Sequence, residues 1–170
     1  MSSGLTIRPE RPADIAAIAR ITEAAFTGHP YSRGTEALIV DGLRRDGALS
    51  LSLVAVLGDE VVGHVAFSPA GIADGSQGWQ ALGPVSVAPA SQRRGIGSAL
   101  VRAGLDEIRK RGAAGCVLVG EPAFYERFGF RSDPSLTMDG VPQEYVLALR
   151  LTDDGAAGAI THHPAFHVEA

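Results

Sequence analysis

The hydrophobic period of the chain changes several times, and each change marks an element. "LTIR" at 5–8 predicts a first strand. Beyond Pro12, Ile15, Ile18, Ile21 or Thr22, and Ala25 recur at helical spacing, and proline suits a first helical turn. Gly28, Pro30 and Gly34 break that pattern. "TEALIVDGLRR" (35–45) predicts a second helix, with Leu38, Ile39 and Leu43 on its apolar side and Gly47 past its end. The period then falls to two. "LSLVAVLGDEVVGHVAFSP" (51–69) holds two β-rich runs around Gly58-Asp59, a tight-hairpin pair. "GIADGSQG" reads as loop and "WQALGPVSVAP" as a strand ending at Pro89. From Ile96 the helical period returns, with Leu100, Val101, Leu105 and Ile108 on one face and "RKRG" closing the helix. "GCVLVG" is a short apolar strand, "PAFYERFG" a short helix capped by Gly129, and "EYVLALRL" (144–151) a last strand.

This order predicts a single α/β domain with a central mixed, largely antiparallel sheet flanked by helices. It does not fit a regular series of parallel βαβ units. The expected bounds are 1–151 for the domain and 152–170 for a tail that packs on it or extends it. A chain of 170 residues can bury one substantial core. Its 45% hydrophobic and 20% charged residues are ordinary for a soluble protein.

The formal charge of −4 argues against a broad basic face for nucleic acid, so any anion site must be local. The single cysteine, Cys116, allows no intrachain disulfide, which suits a reducing cytoplasm. The first residues carry no basic segment followed by an apolar run, and no apolar stretch approaches the roughly 20 residues of a membrane helix. A cytoplasmic protein without membrane or nucleic-acid partners is expected.

Within this acidic chain, "SQRRGIGSAL" (91–100) concentrates positive charge and glycine just before a helix. Free N–H groups and the helix dipole favour an anion there, and glycines let a diphosphate approach the backbone. A plain loop-to-helix turn is the simpler reading of a lone Gly-x-Gly. A P-loop is excluded because no Gly-Lys pair exists. A dinucleotide fingerprint would need glycine where Leu100 stands, and its glycines would follow the strand directly within parallel units. Glu121 after the next strand is the one feature in its favour.

"VSVAPASQRRGIGSALV" (85–101) resembles the acetyl-CoA signature of the GNAT superfamily of N-acetyltransferases, Gln/Arg-x-x-Gly-x-Gly/Ala, on Gln92, Gly95 and Gly97. "FYERFGF" (124–130) resembles the same superfamily's second hallmark, an aromatic helix ending in Gly-Phe. The likeness spans residues 5 to 151 and the stand-alone bacterial type, and "THHPAFHVEA" resembles a tail of one bacterial subgroup. The resemblance implies acetyl-CoA as cosubstrate, with its diphosphate on the backbone of Gln92, Arg93, Arg94, Gly95, Ile96, Gly97 and Ser98. It implies main-chain pairing of the pantetheine arm with the strand carrying Val85 and Val87. Tyr125 matches the tyrosine that faces the coenzyme sulfur. The implied reaction is direct attack of an amine on the thioester, and a homodimer is compatible with the family's exposed strand edges.

The general base is where the pattern departs. Many relatives carry a glutamate on the strand before the loop, but "WQALGPVSV" holds neither carboxylate nor histidine. Glu121, Glu36, His64 and a water relay remain open. A non-catalytic acyl-CoA sensor of the same fold therefore stays as the alternative to an enzyme. His163 and His167 have helix-like spacing, but Pro164 between them and the lack of ligands beyond Glu169 argue against a metal site. Cys116 reads as core. The loop 27–34 and the hairpin are expected to shape the site of an acceptor the sequence does not name.

Overall fold

The computed structural model of the chain describes residues 4–169. In chain order the elements are β1 (Leu5–Pro9), α1 (Ile15–Phe26), α2 (Glu36–Arg45), β2 (Leu51–Leu57) and β3 (Glu60–Pro69). There follow β4 (Gly71–Ile72), β5 (Trp79–Val87), α3 (Ile96–Lys110), β6 (Gly115–Val119) and α4 (Pro122–Tyr125). Four short strands close the list: β7 (Arg131–Ser132), β8 (Leu136–Thr137), β9 (Val146–Arg150) and β10 (Gly158–Thr161).

A seven-stranded sheet runs in the order β1-β2-β3-β5-β6-β9-β7. All its neighbours are antiparallel except β5 and β6. Alternation along β2 explains how both faces are filled. Leu51, Leu53 and Ala55 face α3, where Leu100, Val101, Leu105 and Ile108 meet them. Val54 faces the other way, onto Ile18 of α1 and Val40 of α2. Beyond the reach of α1 and α2, that second face is covered by a small sheet, β4-β10-β8, around Trp79, Val117, Leu136 and Ile160.

Three expectations need correction. The helix expected from Pro12 begins with a 3-10 turn (Pro12–Asp14), and Arg8 and the Arg11 N–H both bind the Asp14 carboxylate at 2.7 Å. "GIADGSQG" is not all loop, because Gly71–Ile72 pairs with Ile160–Thr161. The strand at 146–150 is not the last, since β10 follows it. Strands of two and four residues that pair with distant segments carry too little local periodicity for the sequence to announce them. Past β10, residues 164–167 form a turn whose Ala165 packs on α2: a Cβ on Gly42 would lie 3.0 Å from the Ala165 Cβ.

Helix α3 is held close to the sheet by a missing side chain. A Cβ on Gly104 would clash with the edge of the Phe67 ring of β3, and Phe67 is fully buried. Gly104→Ala gains about 1 kcal/mol of helix propensity. It also overpacks the interface, which typically costs ~1–3 kcal/mol. A net loss of about 1 kcal/mol in urea denaturation is expected; a variant at least as stable as the parent would show that α3 can ride away from the sheet freely.

Candidate active site

The site begins where two parallel strands part. β5 pairs with β6 only over Trp79, Gln80 and Ala81. Just beyond, two residues of β5, Gly83 and Pro84, stand opposite the single residue Ala66 of β3. Such a bulge bends the strand and raises its twist, which turns β5 away from β6. From Leu82 to Val87 the strand therefore has β3 on one side and a free main-chain edge on the other. Val85 and Val87 lie on this stretch, both half-buried.

At the end of β5 the Gln92 side chain donates to the Val87 carbonyl at 3.0 Å and folds the loop back on the strand. Arg93 (φ 65°) and Gly95 (φ 79°) take left-handed backbone conformations that reverse the chain into α3. Gln92 N–H is used within the loop, on Pro89 O at 3.4 Å. Among the described residues, the N–H groups of Arg93, Arg94, Gly95, Ile96, Gly97 and Ser98 donate to no acceptor. Gln92, Arg93, Arg94 and Gly95 are exposed, Gly97 and Ser98 half-buried, and Ile96 alone points into the core. Six consecutive donors at a helix start form an anion cradle.

Gly97 shows what that cradle is shaped for. It is helical, and a Cβ there would meet only Val87 at 3.8 Å and Phe124 at 4.0 Å, ordinary contact distances. The protein could hold alanine at this position and gain about 1 kcal/mol of helix propensity. The space kept empty is of no use to the fold itself, and it fits a ligand whose diphosphate lies on the backbone.

Across the gap stands α4, continued by a 3-10 turn (Glu126–Phe128) and ended by Gly129 (φ 96°). Its Tyr125 packs in edge contact with Phe124 (4.9 Å between centroids) and Phe130 (5.9 Å). A Cβ on Gly120 would come within 2.7 Å of the Tyr125 ring, so Gly120 is what lets the ring lie against the end of β6. Burial pushes the Tyr125 phenol up to about 12, with the nearby Cys116 thiol adding to the effect. Its hydroxyl makes no hydrogen bond among the described residues. It remains a protonated, unengaged donor across the physiological range. Cys116 is fully buried and burial raises its thiol pKa, so it stays an inert core residue.

The carboxylates that the sequence offered sit on different elements, Glu36 in α2 and Glu121 at the start of α4. Glu36 is half-buried at the start of α2 and accepts from Ser32 Oγ at 2.7 Å. With Glu23, Phe26 and His29 it lines a pocket of about 570 Å³ between the end of α1 and the start of α2. Glu121 is exposed and caps α4 where β6 ends. It lies near Tyr145, whose phenol pKa is raised by Glu144 first, then by desolvation, Tyr31 and Glu121. His64 is fully buried, and its Nε2 is 2.7 Å from Ser52 Oγ. Burial drives this imidazole down to about 4, against the opposing charge of Glu10. It is a neutral core group with no open path to a substrate.

His163 is accounted for as well. His163 Nδ1 accepts the Ala165 N–H at 3.0 Å and its Nε2 lies 3.6 Å from Asp46, which docks the tail on α2. The loop 27–34, expected from sequence to shape an acceptor site, supplies His29 and Ser32 to this pocket. Sequence reasoning missed Glu23 and Phe26, because a pocket made by two helix ends leaves no spacing signal. It also missed the Gly83-Pro84 bulge, although a proline inside a strand pattern is a signal for one.

Residues 15–130 match the acetyltransferase (GNAT) family. The chain is 33% identical over 171 residues to the uncharacterized N-acetyltransferase YhbS of Escherichia coli K12, covering 96% of this chain and 99% of that one. A GNAT family acetyltransferase from Brucella melitensis, solved in complex with acetyl-CoA, superimposes with a TM-score of 0.85 at 46% identity, covering 95% of this chain and 97% of that one. YhbS solved with CoA gives 0.83 at 32% identity, over 98% and 93%. Those alignments, together with the parted strands and the cradle, define an acyltransferase. The chain belongs to the acetyltransferase (GNAT) family.

Gly97→Ala separates fold from ligand. The unliganded variant should melt at the parent's temperature or slightly above it. Its stabilisation by acetyl-CoA should shrink sharply, since mass action stabilises only in proportion to binding. An unchanged ligand-induced shift in thermal unfolding would place the diphosphate elsewhere.

Proposed function

We propose that the protein is an N-acetyltransferase that uses acetyl-CoA as cosubstrate and acetylates a primary amine by direct attack. The observation that carries this reading is the pair of vacant main-chain surfaces, the β5 edge at 82–87 and the donors at 93–98, meeting at one helix start. The coenzyme supplies an activated thioester carbonyl. The edge of β5 around Val85 and Val87 aligns the pantetheine arm as another strand would pair, and a donor there polarises that carbonyl.

The acceptor enters by the pocket between α1 and α2. Glu23 and Glu36 give it two negative charges, and Phe26 offers apolar surface, which suits an amine that arrives as a cation. Glu36 and Glu121 are the two carboxylates offered as acceptors of the amine proton. One of them takes a proton from the ammonium and frees its lone pair. As the nitrogen then bonds to the carbonyl carbon, the carbon–sulfur bond breaks and the nitrogen's second proton leaves to solvent. Tyr125 then gives its phenolic proton to the departing sulfur and is reprotonated from solvent. No acyl-enzyme is required, in keeping with the inert Cys116.

The test is release of free coenzyme thiol across a panel of amines. Glu36→Gln and Glu121→Gln tell the two carboxylates apart: the base loses turnover at saturating amine, whereas a recognition group raises KM for cationic amines. Binding of acetyl-CoA without thiol release on any amine would leave an acyl-CoA sensor, the reading that the missing carboxylate on β5 favours.

Tyr125→Phe keeps the aromatic packing and removes one proton. Turnover should fall on the order of 10²-fold, while thermal stability and coenzyme affinity hardly move. The loss should be greatest near pH 6, where solvent offers no easy substitute for a positioned acid. With a phenol at about 12, Tyr125 should add no alkaline limb below pH 10. A destabilised variant with full turnover would make the tyrosine a packing residue only.

A further inference from the structure

The cradle at 93–98 can satisfy a diphosphate, yet coenzyme A carries a third phosphate, on the 3′ position of its ribose. Two arginines beside the cradle are held in place by aromatic rings. The Arg127 guanidinium lies 4.7 Å from the centroid of Phe124, and that of Arg102 lies 4.9 Å from the centroid of Phe128. The two rings meet edge to face at 5.5 Å, and Phe124 is the ring that borders Gly97. The four side chains thus form one wall running away from the diphosphate cradle.

These guanidiniums are not occupied by protein anions. Near the other end of α3, Arg109 pairs with Asp106 and Arg111 with Glu107. Among the described residues, Arg102 and Arg127 enter no ion pair and donate no hydrogen bond. Asp106, one turn beyond Arg102, is turned toward Arg109 instead. Stacking on a ring is worth about 0.5–1 kcal/mol at an exposed site and leaves the N–H fork free to face outward. Side chains on a helix lean toward its N-terminus, so Arg102 covers the turn that begins near Ser98.

We propose that Arg102 and Arg127 form a phosphate-monoester clamp for the 3′-phosphate and make this enzyme selective for coenzyme A over its 3′-dephospho form. A guanidinium fork matches a phosphate dianion, and the ring beneath each arginine fixes the fork before the ligand arrives. The 3′-phosphate lies one ribose from the diphosphate, which brings it alongside this wall. The inference rests on the coenzyme of the proposed reaction and does not depend on the identity of the amine.

Isothermal titration of the full chain with CoA and with dephospho-CoA tests it. The parent should prefer CoA by about tenfold or more, the worth of one or two charge-assisted contacts. R102Q/R127Q should bind the two forms nearly alike, chiefly through weaker CoA binding, with dephospho-CoA affinity and unliganded melting temperature unchanged. R102K/R127K, which keeps charge but loses the planar fork, should retain part of the preference. Each single Gln variant is read in the same way should the double variant fail to fold. A preference that survives in R102Q/R127Q, or an equal loss of affinity for both forms, overturns the clamp. So does a parent without any preference. If neither form bound the parent, the coenzyme assignment itself would fall with it, an outcome separate from a lost preference.

Discussion

The site depends on one constraint: β5 cannot stay paired with β6 past Ala81. The extra residue at Gly83-Pro84 bends β5 away, and its edge from Leu82 to Val87 is then left without a neighbouring strand. An unpaired edge inside a sheet leaves hydrogen-bonding groups that some partner must satisfy. α3 begins at the end of the same strand and directs six further donors into the same space. A ligand with an amide-bearing arm and a diphosphate can answer both demands together. The pocket proposed for the acceptor is built separately, from the ends of α1 and α2.

Rigid supports hold this gap open from both faces. On one side α3 is locked to β3 by Gly104 against Phe67, and Tyr125, Phe128 and Phe130 continue that core beneath the short helix. On the other, Trp79 anchors β5 where it is still paired, with its indole N–H donating to Asp154 at 3.0 Å and its ring against Gly115. Under α1 and α2 a polar row runs inward from the half-buried Arg44–Glu10 pair through the buried Ser52 to His64. Ser52 gives its one proton to Glu10, so His64 Nε2 carries the hydrogen that Ser52 accepts, and His64 serves the scaffold. The residue that looked like a base from sequence is a structural one.

Long elements were legible because their periodicity reflects burial on one face. The helix 96–110 came from its period, the hairpin from two β-rich runs around Gly58-Asp59, and the strand at 115–119 from a short apolar run. The cradle was legible because glycine before a helix is visible in one stretch of sequence. What stayed hidden was made by distant segments. β10 forms only because β4 and β8 flank it, and Glu23 meets Glu36 only because two helices end at the same place. Arg102 and Arg127 are ordinary surface residues in sequence, and only the rings beneath them give them a direction.

The parting of β5 from β6 is tested most directly by amide hydrogen exchange on the protein with and without acetyl-CoA. If the coenzyme arm completes the broken pairing, amides within 82–87 should gain protection together with those of 93–98, while β1 and β2 stay unchanged. Protection confined to 93–98, with the β5 edge exchanging as before, would contradict the account, because the coenzyme would then be held at its phosphates alone.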